Sequence, residues 1–161
     1  KMNLYHGSNV EVKQPELFPN LRALDFGAGF YLTSNINQAI RWAKVVTKRR
    51  QSGQAIVNSY QFNQFLLANL NVLYFETAND EWLDFVVANR KGLNFTANYD
   101  LVIGPVANDA TLPVIDDYMD GRYTKQEAVA RLLPQNLTDQ YAFLTQKALD
   151  LLTFEEAKIY E

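Results

Sequence analysis

The sequence predicts an α+β fold in a single domain that spans residues 1–161. Segments with strand character are separated by helical segments of unequal length, and some predicted strands are neighbours in sequence. Of the 161 residues, 48% are hydrophobic and 13% aromatic, which is enough to bury a substantial core. No internal repeat, low-complexity segment or linker divides the chain, so one domain is the simplest organisation.

The predicted strands are short apolar or β-branched runs bounded by Gly, Pro and polar residues. They fall at residues 3–6, 30–33, 55–62, 72–76, 100–104, 140–145 and 152–160. Helices are predicted at residues 36–50, 79–89 and 146–151, and over 111–134 with a break at Gly121. The first helix is bounded most clearly, with Ser34 or Asn35 as its N-cap, Gln38 three residues after Asn35 as in a capping box, and Lys48 to Arg50 at its C-terminus.

Composition excludes several kinds of site. The chain has no Cys, which rules out disulfides and thiolate metal ligands and suits a reducing compartment. Its one histidine, His6, cannot build the usual catalytic zinc centre, so we expect no metal. A net charge of −3 gives no overall attraction to nucleic acid or anionic membranes. No apolar run approaches the ~20 residues that span a bilayer and no signal-peptide core opens the chain, so we expect a cytoplasmic protein without a membrane partner.

Two glycines, Gly27-x-Gly29, follow a long irregular loop. A dinucleotide-binding fingerprint would have a third Gly at position 32, which is Leu, and would set the glycines between a strand and a helix. The Gly-Lys-Ser/Thr of a phosphate-binding loop is absent as well. The glycines therefore either allow a tight turn into the strand or leave bare backbone for a ligand.

Two motifs carry a more specific signal through their order and spacing. Tyr5-His6-Gly7-Ser8 lies on the first strand, Gly27-x-Gly29-Phe30-Tyr31-Leu32-Thr33 leads into the second, and Trp42 follows Tyr31 by eleven residues on the next helix. With DFGAGFYLT, YDLVIGPVAND and DQYAFLTQKALDLL, they make residues 4 to about 152 resemble the ADP-ribosyltransferase superfamily. The resemblance is to its diphtheria-toxin and poly(ADP-ribose)-polymerase branch, with a His–Tyr–Glu signature, and to a family of small bacterial domains in that superfamily. It implies a split β-sheet core of two small antiparallel sheets with flanking helices.

The resemblance also implies an activity and a site. The chain would be a mono-ADP-ribosyltransferase that transfers ADP-ribose from NAD to a protein or nucleic acid and releases nicotinamide without a metal. Tyr31 and Trp42 would stack on the nicotinamide ring, and the backbone of Gly7 would pair with its carboxamide. His6 would bind a hydroxyl of the adenosine ribose. The other candidates for NAD binding are Ser8, Gly29, Phe30 and Arg22. Arg22, on the loop before the glycines, either reaches the pyrophosphate or is an ordinary surface arginine.

The third member of the signature differs in this chain. Asp139-Gln140-Tyr141 is the best match for the glutamate strand, so Gln140 stands at the catalytic position and shares the catalytic role with Tyr31. A Gln oxygen can accept a hydrogen bond from a ribose hydroxyl, but the missing charge costs ~3 kcal/mol, or about a hundredfold in rate. Asp139 is a poor substitute because neighbours on a strand point to opposite faces. Thr138 stands where protein-modifying members often have Gln or Glu.

Ordinary structural explanations stay open beside these roles: His6 and Gln140 as strand residues, Tyr31 as core, and Trp42 as helix packing. Three functions are therefore weighed. The first is the transferase, as a bacterial toxin with an antitoxin or immunity partner, or as an effector. The second is a module that binds NAD or ADP-ribose without turnover, and the third is an interaction domain without a ligand.

Two further features of the sequence each have two possible interpretations. Asn108 and Asp109 follow the strand at 100–104 and form either a turn or a ligand-facing loop. The cluster of Lys44, Lys48, Arg49 and Arg50 is either a solvated helix end or a contact for a phosphate-bearing target.

Overall fold

The structure is a computed structural model that describes residues 1–17, 25–93, 98–108 and 110–161. Its strands are β1 (Met2–Ser8), β2 (Phe30–Leu32), β3 (Ile56–Phe62), β4 (Val72–Tyr74), β5 (Leu101–Pro105), β6 (Asp139–Phe143) and β7 (Leu152–Ile159). Its helices are α1 (Ile36–Arg50), α2 (Asp80–Arg90), α3 (Leu112–Met119), α4 (Lys125–Leu132) and α5 (Gln146–Leu149), with a 3₁₀ turn at Gln64–Asn69. The α+β class is confirmed, and so are the predicted strands and helices to within a few residues. The 3₁₀ turn was not predicted.

The strands form two small sheets. The first has the order β1–β3–β7 and is antiparallel throughout, as expected. The second has the order β2–β6–β5–β4, and here the expectation of an antiparallel sheet was wrong, because β4 runs parallel to β5. The physical reason is the connection between them: α2 lies between β4 and β5 in sequence, and a helical crossover returns the chain in the same direction.

Alternation along β2 separates two apolar clusters. Phe30 and Leu32 point toward the first sheet and pack with Leu4 and Tyr60. Tyr31 points to the other side of the second sheet, where α2 to α4 supply its neighbours. That second cluster includes Phe26, Trp82, Ile115, Ala128 and Ala142. The second sheet is therefore covered on both faces, and its edge strand β2 carries side chains into both clusters.

Helix α1 covers the outer face of the first sheet. Asn35 caps it by accepting a hydrogen bond from the Gln38 backbone, as predicted, at 3.0 Å. The Gln38 side chain does not complete a capping box; it accepts from Arg41 and from Thr138 instead. Ala39 and Ala43 are fully buried, so the small side chains of this face let the helix lie close to β1.

The predicted break at Gly121 is confirmed. Helix α3 ends at Met119, α4 begins at Lys125, and Gly121 between them has φ +80°, a conformation that glycine adopts without strain. Among the helices of the described ranges, none has both the length and the apolar character needed to cross a membrane.

Candidate functional site

Among the described residues, backbone pairing joins the two sheets at a single pair of residues. Tyr5 of β1 and Thr33, which follows β2, exchange backbone hydrogen bonds of 2.8 and 2.9 Å. If this antiparallel ladder continued, Gly7 would pair with Tyr31 next. It does not continue, because the Nδ1 of His6 donates to the Tyr31 carbonyl at 2.7 Å in place of a backbone group. We use the term split for the position where Gly7 and Tyr31 are opposite each other without backbone pairing among the described residues.

Gly7 offers its backbone to the split. Tyr5 points its N–H and C=O toward β2, and in a strand the residue two positions on points the same way, so those of Gly7 face the split. The Cα of Gly7 lies against α1: a Cβ built there would be 2.2 Å from the Ala39 carbonyl oxygen and 2.6 Å from the Ala43 nitrogen. The sequence analysis explained this glycine by the approach of a ligand, and the structure gives helix packing as a second reason.

His6 is held neutral and in one tautomer. Its ring is partly buried and stacks on Phe30, with centroids 4.0 Å apart and the planes 26° from parallel. Because the Tyr31 carbonyl can only accept, Nδ1 carries the proton, and Nε2 is left as an acceptor. Burial lowers the pKa of His6 to about 4, against the opposing effect of its hydrogen bond to Tyr31. The imidazole can therefore accept a hydrogen bond from a hydroxyl at neutral pH without carrying charge.

This pKa predicts how stability depends on pH. The unfolded chain protonates His6 near 6.5 whereas the folded protein does so only near 4. Protons therefore favour the unfolded state in between, and His6 makes the free energy of unfolding fall by up to about 1.4 kcal/mol per pH unit as the pH drops from 6.5 toward 4. Urea unfolding of the wild type and His6→Gln across this range measures the effect. The wild type should lose more stability than the variant on acidification, and parallel curves would contradict a neutral, buried His6.

Tyr31 is fixed in the core. Its side chain is 8% exposed, and its hydroxyl accepts from the Phe26 N–H at 2.9 Å and donates to the Gly27 carbonyl at 2.6 Å. Burial raises the pKa of Tyr31 well above its usual range. Since His6 packs on Phe30, the rings of His6 and Tyr31 lie on opposite faces of β2 and cannot contact the same ring of a ligand. Tyr31 can offer a ligand little more than its edge, unlike the stacking platform expected from the sequence.

Trp42 is an aromatic side chain at this site that the apolar clusters do not take up. It is partly exposed and belongs to none of the three apolar clusters found in the described ranges. The Cβ of Trp42 lies 3.1 Å from the position that a Cβ on Gly7 would take, so the indole begins beside the split. The other tryptophan, Trp82, is fully buried and donates from Nε1 to the Pro105 carbonyl at 2.9 Å. Core packing therefore accounts for the presence of Trp82. It does not account for Trp42, which belongs to no apolar cluster in the described ranges.

Gln38 was not predicted as a site residue. It lies one turn before Trp42 on α1 and is only 8% exposed. Its Oε1 accepts from the Arg41 guanidinium at 2.7 Å and from the Thr138 hydroxyl at 3.2 Å, which connects α1 to the start of β6. Its place three residues after the N-cap suggested a capping role, and nothing in the sequence pairs it with Thr138.

Gln140 carries an unsatisfied polar group. Its side chain is 3% exposed, and Nε2 has no hydrogen-bond partner among the described residues. Gln140 lies two residues before Ala142, which pairs with Tyr31, so both side chains are on the same face of the second sheet. A buried amide N–H without a partner costs about 1–3 kcal/mol, which an acceptor oxygen on a ligand would recover.

Asp139 has a structural role, which was not predicted from the sequence. Its carboxylate accepts from the Ser34 N–H at 2.9 Å, from the Ser34 hydroxyl, and from the Thr33 hydroxyl at 3.1 Å. These bonds fix the connection between β2 and α1. Asp139 is therefore committed to the scaffold and does not replace a catalytic glutamate.

Of the remaining candidate site residues, Ser8 and Gly29 pack within the fold and Asn108 lies in a loop. Ser8 is buried with its hydroxyl 3.4 Å from the Val10 N–H, and a Cβ on Gly29 would lie 2.7 Å from the Phe143 carbonyl oxygen. Asn108 forms a turn, because its Oδ1 accepts from the N–H groups of Ala110 and Thr111 at 3.0 Å. Arg22 and Asp109 lie outside the described residues.

In the part of the chain that is described, no three His, Cys, Asp or Glu side chains are grouped to hold a metal ion.

By its structure, this protein is an α+β domain whose two small sheets are joined by backbone pairing at one pair of described residues. The chain belongs to the family described as protein of unknown function (DUF3990), whose model matches residues 2–154. Neither the curated proteins nor the solved structures contain a match to this chain.

Proposed function

We propose that this protein is a mono-ADP-ribosyltransferase that transfers ADP-ribose from NAD to a macromolecular acceptor and releases nicotinamide. The observation that carries the proposal is the split itself, where Gly7 makes no backbone hydrogen bond to β2 among the described residues and the Cβ of the partly exposed Trp42 lies close to Gly7. An N–H and a C=O on one residue are the complement of a carboxamide, which also has one donor and one acceptor side. A flat aromatic side chain beside that edge complements the flat pyridine ring to which the carboxamide belongs.

The residues around the split fit the other parts of NAD. The Nε2 of His6 is an acceptor for a ribose hydroxyl, and its fixed tautomer means that it does not have to reorganise on binding. Ser8 lies next to it on β1, while Phe30 holds the imidazole in place by stacking. Gly29 and Tyr31 shape the β2 side, and Arg22 stays a candidate for the pyrophosphate.

NAD supplies an activated bond between nicotinamide and ribose, whose cleavage develops positive charge on the sugar. Gln140 can orient the ribose through its buried amide, since Nε2 has no partner among the described residues and is available to a hydroxyl oxygen. Being neutral, it contributes less stabilisation to the developing charge than a carboxylate would. We therefore expect slow turnover.

A second candidate function rests on this same residue. If a neutral amide at position 140 does not support turnover, the chain is a module that binds NAD or ADP-ribose. The buried and unpartnered Gln140 amide favours binding in either case, and only the measurement of released nicotinamide separates the two functions.

The proposal places the protein in the cytoplasm of a bacterium, as a toxin with an antitoxin or immunity partner, or as an effector. The absence of Cys suits a reducing compartment. A partner that covers the split would keep a toxin inactive in the cell that makes it.

Calorimetric titration with NAD tests the binding that both candidate functions need. We expect saturable heat, competition by free nicotinamide, and stabilisation against thermal unfolding that reaches about 2.7 kcal/mol at a hundred times Kd. If millimolar NAD gives neither heat nor stabilisation, the protein is an interaction domain without this ligand.

A further inference from the structure

Charge is segregated along the chain. Residues 26–75 contain no Asp or Glu, and their five basic residues all lie on α1: Arg41, Lys44, Lys48, Arg49 and Arg50. This stretch therefore carries +5 in a chain whose net charge is −3, which leaves −8 for the rest. The net charge of the whole chain therefore does not show that α1 is strongly basic while the rest of the protein is acidic.

The basic side chains of α1 are exposed. Arg41, Lys44 and Lys48 follow one another at spacings of three and four residues, so they share the outward face of the helix. Arg49 is seven residues after Trp42, which places both on one flank about 10 Å apart. We call these four residues, Arg41, Lys44, Lys48 and Arg49, the basic surface of α1.

The basic surface has no acidic partners in the described ranges. The ion pairs found there join Arg90 to Asp25, Arg122 to Asp117, and Lys125 to Asp84, all away from α1. Arg50 differs from the four, because its guanidinium donates to the Asn9 side chain at 2.8 Å. Uncompensated positive charge on one helix face is an electrostatic footprint for a polyanion.

We propose that the basic surface of α1 binds single-stranded nucleic acid and that this strand is the acceptor of ADP-ribose. The inference rests on the proposed function for the chemistry, whereas the binding surface stands independently. Phosphates along the strand would contact the basic surface, and the neighbouring nucleotide would then lie at the split beside Trp42. A single strand is favoured over a duplex because a base must leave its stack before it can enter an enzyme cleft.

A protein acceptor fits this surface less well. Protein interfaces centre on clusters of aromatic or apolar anchors, whereas Trp42, which is partly exposed, and Val45, which is 60% exposed, stand among charged side chains on α1. Sequence-independent binding of a strand requires only a positively charged groove or face beside an aromatic residue. The arrangement of Trp42 and the basic surface meets this requirement.

The transfer balances without a further reactant. The bond between ribose C1′ and the nicotinamide nitrogen breaks, and its electron pair leaves with nicotinamide. A nitrogen or oxygen of the strand forms a bond to C1′, and the proton that it carried is released to solvent.

Fluorescence anisotropy with labelled 20-nucleotide single strands of DNA and of RNA tests the inference without NAD. The test variant is Lys44→Gln/Lys48→Gln/Arg49→Gln, and the control is Lys13→Gln/Lys91→Gln/Lys147→Gln, which removes the same charge at exposed positions outside α1. For a single strand the slope of log K against log salt is about −0.7 per phosphate contact, so the test variant should lose a slope of about 2. The control variant should keep the wild-type slope and affinity.

Two results would overturn the inference: equal binding by the test and control variants, or polyglutamate binding as tightly as the oligonucleotides. Tighter binding of a duplex than of a single strand would overturn the single-strand part. With NAD added, label from its adenine should become attached to the oligonucleotide and not to lysate proteins. Release of nicotinamide measured without oligonucleotide, with water or a lysate molecule as the acceptor of ADP-ribose, reports the proposed function separately, so loss of strand binding alone would leave that function standing.

Discussion

Replacing Trp42 with Ala is expected to weaken NAD binding by about tenfold or more while leaving the fold intact. Stacking of an aromatic side chain on a heterocyclic base contributes about 1–3 kcal/mol, and 1.4 kcal/mol corresponds to a tenfold change in Kd. The indole belongs to none of the apolar clusters in the described ranges, so the free energy of unfolding should change by only about 1 kcal/mol. Calorimetry with NAD and urea unfolding of the same variant measure the two quantities.

Trp82 provides the matched control for this prediction. It is fully buried, and Trp82→Ala should cost about 3–5 kcal/mol of stability because it leaves a cavity in the core. Any Trp82→Ala protein that stays folded should bind NAD with wild-type affinity. The account is contradicted if Trp42→Ala destabilises the protein as strongly as Trp82→Ala, or if NAD binding survives it unchanged.

Replacing Gln140 with Glu should raise the rate of nicotinamide release about a hundredfold. The two side chains have nearly the same shape, so the buried site keeps its packing and gains a negative charge near the position of the ribose. Because burial opposes ionisation of the new carboxyl, the gain should increase with pH until that group is charged. Initial rates with NAD at several pH values measure both effects.

Gln135→Glu is the control for charge alone, since Gln135 is exposed and lies shortly before β6. It should release nicotinamide at the wild-type rate. If Gln140→Glu binds NAD normally and is no faster than Gln135→Glu, position 140 does not face the ribose and the transferase proposal loses its catalytic residue.

The local elements could be predicted because their signals are local. Asn35 and the basic residues at 48–50 marked both ends of α1, and the structure places that helix at Ile36–Arg50. Gly121 marked the break between α3 and α4 because glycine adopts a positive φ with the least strain. Strand 100–104 was recognised from its apolar run, and β5 forms at Leu101–Pro105.

The features that define the site depend on contacts distant in sequence. Nothing local to His6 predicts its bond to the Tyr31 carbonyl, 25 residues away, and that bond decides the tautomer. Tyr31 was expected to stack on a ligand, but the side of β2 on which its ring lies is set by the helices α2 to α4. The contact of Gln38 with Thr138 could not be predicted because the two residues are 100 positions apart in the sequence. The parallel pairing of β4 with β5 was missed because the sequence analysis took its sheet pattern from a resemblance and did not follow the crossover through α2.

The most direct test of NAD binding in the split uses the two tryptophans as reporters. In ¹⁵N-labelled wild-type protein, each indole N–H gives one NMR signal, and a Trp42→Phe variant assigns them. On titration with NAD, we predict that the Trp42 signal shifts saturably while the signal of the buried Trp82 stays in place. If the Trp42 signal does not move at saturating NAD, or if only the Trp82 signal moves, the ligand does not bind in the split.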